Sequence, residues 1–523
     1  MAETIEAPIS IEFEGMAETT EARRSRLSSY ICGALLAISA AVALSRPFTS
    51  HQRWMSFVQD DFFYYLKVAQ NIVAGKGSTF NGIVQTNGYH PLWLLVITAI
   101  VWLGVVDNGL LVFVALTSWI AAMAMYYFAF RLLTRSKVEP VFSAIVALYV
   151  GVFSLHLFQY GMEATLATPL MMYVILRVRE LDEDEAPSAG YFLGFGLAVS
   201  AMILSRLDTA LFAATLAILA VMVSRRTRQA VKAGSGWLLI GLLPVPLYLL
   251  VNRLYFGTWM PISGIAKGIK IDHGFTDTAW VCLVNVSLMQ KIHVAIIAVA
   301  LLALPWVWSR LGPGTKILTA ATLLFPFLYT FTLSWLSDWP LWLWYFYDLR
   351  PALCVALLVL LQIPLLHRLS KWKLVQVVAF AGVLLAMVSF RWYQQSADIV
   401  DAAFNLRQFS ATHPGRYAMG DRSGAAGMLL SDSIVQTEGL MMDKDFLKNI
   451  EQQRPLRDVL ADYKVRYYVA TSLEPFTGCF EAREPALGGS HAPKMRAEFC
   501  GPPVAKWMYN GRTTMVFDLQ AKQ

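Results

Sequence analysis

The chain has 523 residues, of which 56% are hydrophobic and 15% charged, with a formal net charge of +7 and a mean hydropathy of +0.50. A soluble globular protein carries roughly 25% charged residues, so this composition excludes a large soluble core and describes a chain that crosses a membrane many times. The basic residues cluster between apolar segments, which makes them a signal of orientation in the bilayer rather than of nucleic-acid binding.

In chain order, residues 1–28 are polar and read as a disordered cytoplasmic N-terminus. The tetrapeptide MAET recurs at Met16, a second candidate start. No cleavable signal sequence is visible, and Arg23, Arg24 and Arg26 ahead of an apolar run read as a signal anchor. Apolar segments follow near 29–46, 91–106, 109–130, 140–157, 164–178, 190–204, 209–224, 237–254, 290–308, 317–335, 343–366 and 373–390. A spanning helix needs about 20 residues, and several of these are shorter. Basic clusters at 23–26, 131–137, 177–179, 225–232, 310–316 and 368–373 mark cytoplasmic ends. One pair of segments fits each interval after residue 131. The interval before it holds three, so 91–130 is read as one net crossing with an interfacial part. The result is a mostly α, polytopic bundle of about 11 spans over 29–390, with its N-terminus inside and an outer loop at 47–90.

From about Arg391 the charge becomes ordinary, and 391–523 reads as an extracytoplasmic α/β domain. RYAMG, SIVQT, VRYYVAT and TTMVFDL read as strands, KDFLKNIEQQ and LRDVLADYK as helices. GDRSGAAG fits neither a dinucleotide nor a P-loop pattern and is read as a loop. Cys32, Cys282 and Cys354 read as small packing residues. Cys479 and Cys500 pair as a disulfide if this region faces an oxidising compartment, and are otherwise two free thiols.

This topology gathers the unusual chemistry on the outer face. The cytoplasmic side receives the basic clusters and the acidic run 181–185. In the first loop, QDDFFYYLKVAQNIV places Asp60, Tyr64, Lys67 and Asn71 on one face of a helix and Phe62, Leu66, Ala69 and Val73 on the other. This predicts an amphipathic helix in the interface plane with its apolar side to lipid. Gly75 and Gly77 end it, Asn81-Gly82 and Asn87-Gly88 are turn signals, and His90-Pro91 opens the next helix. The two acids are either simply hydrated or provide a catalytic carboxylate, a good general base for a substrate hydroxyl.

The paired acids, Asn71-Ile72, the Gly-x-Gly at 75–77, the Phe-Asn-Gly at 80–82 and the Pro-Leu-Trp at 91–93 together resemble the first outer loop of GT-C fold membrane glycosyltransferases. These include protein O-mannosyltransferases, the aminoarabinose transferases of lipid A and mycobacterial arabinofuranosyltransferases. The resemblance covers most of the chain and implies a polyprenyl-phosphate sugar donor. It implies Asp60 as catalytic base, and Asp61 as the residue that orients it, binds the acceptor or holds a metal. It places His90 near the donor phosphate; helix capping is the other reading of that side chain. A divalent metal held by Asp60, Asp61 and His90 stays open, with no cofactor otherwise required. Tyr64, Asn87 and Tyr89 fall with the sugar or acceptor.

GMEATL in the same family places Glu163 against sugar or acceptor; an acid at a helix start is the competing reading. Arg206 and Asp208 form a structural ion pair or shape the donor cavity. NRLYFGTWMPISGIAKG resembles an Asn…Phe-Gly…Pro…Lys run of bacterial members, which makes Lys267 a phosphate ligand or a snorkelling interface lysine. SDWPLWLWYFYDLR is an interfacial aromatic belt, or a wall in which Trp344 and Tyr345 meet prenyl chain or sugar and Arg350 meets phosphate. The implied function is transfer of a sugar from a polyprenyl-phosphate carrier to an envelope glycan, lipid or protein at the outer side of a bacterial inner membrane. The alternatives are a transporter or flippase of lipid-linked sugars, disfavoured by the lack of a clear repeat, and a sugar-binding scaffold. Nothing in the sequence suggests a nucleic-acid partner.

Overall fold

The computed structural model describes residues 9–49, 53–183, 187–223, 225–272, 274–285, 287–390, 392–394, 396–431, 433–471, 473–476 and 478–520. The candidate start at Met1 and the end of the acidic run 181–185 lie outside them. The helical body opens with α1 (Ile9–Ser45), which takes in residues 9–28 of the segment expected to be disordered. The first loop carries α2 (Asp60–Val73), followed by α3 (Pro91–Trp102), α4 (Asn108–Arg135), α5 (Pro140–Phe158), α6 (Ala164–Glu180) and α7 (Ala189–Ser205). Then come α8 (Ala210–Val223), α9 (Arg225–Leu242), α10 (Pro244–Val251), α11 (Ile262–Gly268), α12 (Thr278–Asn285) and α13 (Leu288–Val307). The body closes with α14 (Pro313–Leu336), α15 (Leu349–Leu360), α16 (Pro364–Ser370) and α17 (Lys373–Ser389). Local chemistry sets several starts. Proline occupies the first turn of α3, α5 and α14, where its missing N–H is no loss. Glu139, Ser188 and Ser287 accept backbone N–H bonds that would otherwise be orphaned at α5, α7 and α13.

Among the described residues, seven helices are long and apolar enough to cross a membrane, or eight if α16 and α17, bent by 77°, form one broken span. Three shorter apolar helices join them: α3, α7 and Leu207–Val223. The protein is thus an integral membrane protein, but its length criterion supports seven or eight spans, and the expected eleven requires every short helix to cross as well. The 12 residues of α3 extend about 18 Å against a hydrocarbon core of about 30 Å. This is the segment where the charge pattern already failed to fit.

Beyond the bundle lie α18 (Ala397–Thr412), β1 (Tyr417–Met419), α19 (Ser423–Leu429), β2 (Ile434–Gln436), α20 (Lys444–Glu451) and α21 (Leu456–Asp462). The strands β3 (Tyr467–Ala470), β4 (Glu474–Phe476), β5 (Cys479–Glu484), β6 (Met495–Phe499), β7 (Ala505–Tyr509) and β8 (Arg512–Asp518) complete the chain. One sheet has the order β2-β1-β3-β8-β7, parallel across its first three strands and antiparallel thereafter. A second, antiparallel sheet has the order β4-β5-β6, and Cys479 and Cys500 are joined at its end. Ile262 and Ala266 of α11 are buried in the hydrophobic core of this α/β region, and α2 packs against both α3 and α19. The first loop is therefore clamped between membrane helices and the C-terminal part.

Candidate active site

The α2 helix has the expected bounds but not the expected setting. Phe62, Leu66 and Ala69 are fully buried, and so are Asp60, Tyr64 and Asn71 on the other side. Only Val73 at its end is exposed, while Asp61, Lys67, Gln70 and Ile72 are half-buried. The helix has protein on both faces, so the amphipathic pattern separates two protein contacts rather than lipid from water. Its polar side meets the GDRSGAAG segment, which is not a loop: after β1 the chain turns at Arg422 with a φ of +64° and enters α19. The backbone N–H groups of Gly424 and Ala425 donate to the two oxygens of Asp60 at 2.9 and 2.8 Å. Tyr64 Oη and Ser423 Oγ share a bond of 3.0 Å. A Cβ on residue 424 would lie 2.3 Å from the carbonyl oxygen of Asp60, so glycine is required by close approach. Gly88 answers to the same constraint, since a Cβ there would sit 1.9 Å from Leu440 O. It also sits in a tight turn, as expected, with Tyr89 N–H donating to Asn87 O at 2.8 Å.

Asp61, the next residue, is left free. Its carboxylate makes no hydrogen bond or ion pair among the described residues, and it lines two adjoining spaces. The inner chamber, about 80 Å³, is bounded by Asp61, Tyr89, His90, Glu163, Lys267 and Tyr345. The outer cavity, about 350 Å³, runs from Asp60, Asp61 and Lys267 past Tyr160 to Asp421 and Arg422. Asp61, Tyr64, Lys267 and Trp344 line both. Burial raises the carboxyl of Asp61 to about 6; the Lys267 charge opposes this, and Glu163 and Asp421 add to it. Burial likewise raises Asp60 to about 7, opposed by the N–H bonds from α19 and reinforced by Asp61. Lys267 donates to Tyr345 Oη at 2.6 Å. Burial alone would lower its affinity for the proton, but Tyr345 and Asp61 outweigh that and raise it, so the side chain is a cation.

Behind the inner chamber lies a buried ion network. Arg206 pairs with Glu163, and with Asp208 at 3.0 Å. Its guanidinium lies over the rings of Tyr345 and Tyr347 at 4.6 and 4.8 Å. Tyr329 and Tyr347 donate to Asp208 at 2.6 and 3.0 Å, and Tyr65 donates to Glu163 at 3.2 Å. Every charge in the group is answered, which is what a buried arginine near lipid requires. Glu163 thus serves the network rather than capping α6, to which it makes no side-chain cap bond. His90 accepts from the Leu207 N–H through Nδ1 at 3.3 Å and approaches Glu163 with Nε2 at 3.8 Å. Burial lowers its proton affinity, with Glu163 opposing. It makes no side-chain cap of α3.

The remaining expected residues separate. Asn87 accepts from Ile262 N–H at 2.9 Å and so ties the first loop to α11. Tyr89 shares a 2.6 Å hydroxyl bond with Ser78 on the chamber wall. Arg350 is not at this site: it is buried under α5, donates to Phe346 O at 2.6 Å and lies over the Phe153 ring. Among the described residues no group of three or more His, Cys, Asp or Glu is placed to hold a metal. The trio Asp60, Asp61 and His90 is not such a group; each Asp60 oxygen accepts one N–H and His90 Nδ1 accepts another. Asp421, Arg422 and Glu438 were not anticipated. They come from the α/β region, at least 360 residues after Asp61, and the legible signal for the first two was the glycine spacing of GDRSGAAG. Burial, then Asp421 and Glu484, raise Glu438 well above the usual carboxyl range where it faces the outer cavity.

No family model and no curated protein sequence matches the chain. Solved structures do. The chain is similar to the oligosaccharyltransferase of Archaeoglobus fulgidus in its apo form, with a TM-score of 0.50 at 11% identity over 85% of this chain and 69% of that one. Fainter likenesses are to ArnT from Cupriavidus metallidurans bound to undecaprenyl phosphate (TM-score 0.41, 13% identity, 82% and 79% covered) and to the arabinofuranosyltransferase AftD from mycobacteria (0.42, 16%, 93% and 41%). At such identities the likeness is one of architecture, and the fold assignment rests on the first. The chain has the GT-C fold.

Proposed function

We propose that this protein is a membrane glycosyltransferase that moves a sugar from a polyprenyl-phosphate carrier to an acceptor hydroxyl, at the extracytoplasmic side of a bacterial inner membrane. The observation that carries the reading is a hydrogen-bond-free carboxylate, Asp61, and an ammonium, Lys267, lining one cavity between apolar helices and a water-facing domain. The reading exchanges the roles expected of the paired acids. Asp60 is held by two backbone donors and is the positioning residue, while Asp61 is the base.

The acceptor O–H gives its proton to Asp61 as its oxygen bonds to the anomeric carbon. The bond from that carbon to the phosphate oxygen breaks, and the electron pair leaves with the polyprenyl phosphate. Lys267 meets the charge that accumulates there. A phosphate is a good leaving group, so a single base and a cation are sufficient, and one displacement inverts the anomeric centre. The acceptor is an envelope glycan, lipid or protein, approached through the outer cavity.

The test is transfer from a polyprenyl-phosphate sugar by the purified full chain in proteoliposomes. Transfer that stops in Asp61→Asn while donor binding persists supports the assignment. Movement of the donor across the bilayer without transfer would make the protein a flippase instead.

A further inference from the structure

The wall of the outer cavity leads into a second polar cluster that the proposed reaction does not use. Tyr160 lines the cavity and tilts against Trp344 at 6.1 Å. Further in, the Phe153 ring lies 4.1 Å from that of His293 and 6.3 Å from that of Tyr149. Arg350 is 6% exposed. Its Nε has no hydrogen-bond partner among the described residues, and Phe153 covers its guanidinium at 4.2 Å. His293, 1% exposed, takes the Tyr149 hydroxyl on Nε2 at 2.5 Å and leaves Nδ1 unpartnered. Toward the outside, Tyr149 also reaches the sulfur of Met289, which is half exposed.

Tyr149 lies about 13 Å along α5 from its end, and the others sit near helix ends. Arg350 is in the first turn of α15, His156 in the last turn of α5, and His293 in the second turn of α13. Tyr160 directly follows α5, so that helix ends at the cavity. An arginine only donates, and a buried donor without a partner inside a membrane protein is unfavourable unless something visits it. The complement is an anion, and an anion arriving laterally among helix ends is a lipid phosphate.

We propose that Arg350, with Tyr149 and His293, forms a lateral waypoint that receives the phosphate of the polyprenyl donor from the bilayer before it passes Tyr160 into the cavity. The proposal rests on the polyprenyl-phosphate reading above. Asp348, two residues before Arg350, makes no ion pair with it among the described residues, and its own Oδ1 is unpartnered. A carboxyl so close weakens the hold on a phosphate, which suits a station that must release its occupant.

The test compares Arg350→Gln and Arg350→Lys with the parent chain, using a long-chain donor in proteoliposomes and a short-chain, water-soluble prenyl-phosphate sugar. The glutamine variant should raise KM for the long-chain donor about tenfold with kcat retained and the short donor unaffected, and lysine should restore most of the loss. A kcat that falls equally with both donors would put Arg350 at the chemistry, and an unchanged KM would remove it from the path; either overturns the proposal. A second arm measures retention of unglycosylated polyprenyl phosphate by the full chain in native mass spectrometry. This arm needs no turnover, so it separates failure of the waypoint from failure of the functional reading. Retention reduced in Arg350→Gln and undiminished by equimolar phosphatidylglycerol supports the waypoint. Equal retention by the two proteins, or displacement by phosphatidylglycerol, refutes assignment to the carrier.

Discussion

Replacing Asp61 by Asn keeps the size of the side chain and removes its basicity. With a carboxyl at about 6, roughly nine in ten Asp61 side chains are ionised at pH 7 and roughly one in ten at pH 5. Transfer by the parent chain should therefore fall about tenfold per pH unit below 6, because protonation removes the base. Loss of a general base lowers kcat by about 10²–10⁴-fold, or about 2.7–5.5 kcal/mol of barrier, and the acidic limb of the profile should vanish in Asp61→Asn. Asp60→Asn perturbs something else. The amide still accepts one N–H from α19 but confronts the other with its own NH₂, forfeiting a bond of about 1.5–3 kcal/mol where Asp60 is ionised, above about pH 7. Its signature is looser docking of the α/β region, read as faster proteolysis of that region, with a smaller fall in kcat and the acidic limb kept. Single-turnover transfer from pH 5 to 8 distinguishes the two. If Asp60→Asn abolishes the acidic limb and Asp61→Asn retains it, the assignment is wrong and Asp60 is the base.

Lys267→Ala takes the ammonium from the junction of the two cavities and should weaken donor binding and slow transfer together by about ten- to a hundredfold, as loss of a charged hydrogen bond does; an effect confined to the acceptor's KM would remove Lys267 from the phosphate. Glu163→Gln leaves Arg206 buried with one partner fewer, and uncompensated buried charge costs about 3–5 kcal/mol. Its thermal unfolding midpoint should drop clearly, while an unchanged midpoint would show that Asp208 and the tyrosines are sufficient. Gly424→Ala drives a Cβ to 2.3 Å from Asp60 O and should part α19 from α2, with proteolysis of the α/β region rising as in Asp60→Asn. Cys479→Ser with Cys500→Ser opens a loop of sequence separation 21, and should cost about 3 kcal/mol in the α/β region, seen as a lower midpoint without loss of kcat.

Much of this protein can be read along the chain. Apolar runs at helical length announced the membrane body, since backbone amides in lipid must be satisfied within a helix. The helix at Asp60–Val73 and the strands around Tyr417, Ile434, Tyr467 and Arg512 follow from local periodicity, and the helix at α20 from its Asp443 cap. The first-loop acids stood out because charge beside apolar segments demands a reason. Their division of labour did not. Two neighbouring aspartates are equivalent in sequence, and what separates them is a pair of N–H groups 364 and 365 residues away. The same holds for Arg350, which shares an aromatic stretch with Trp344 and Tyr345 but is turned by α15 toward α5. Hydrogen bonding and burial depend on which surfaces meet, and only the packed chain decides that: it gave α19 to Asp60, left Asp61 facing the cavity, and set Lys267 beside it.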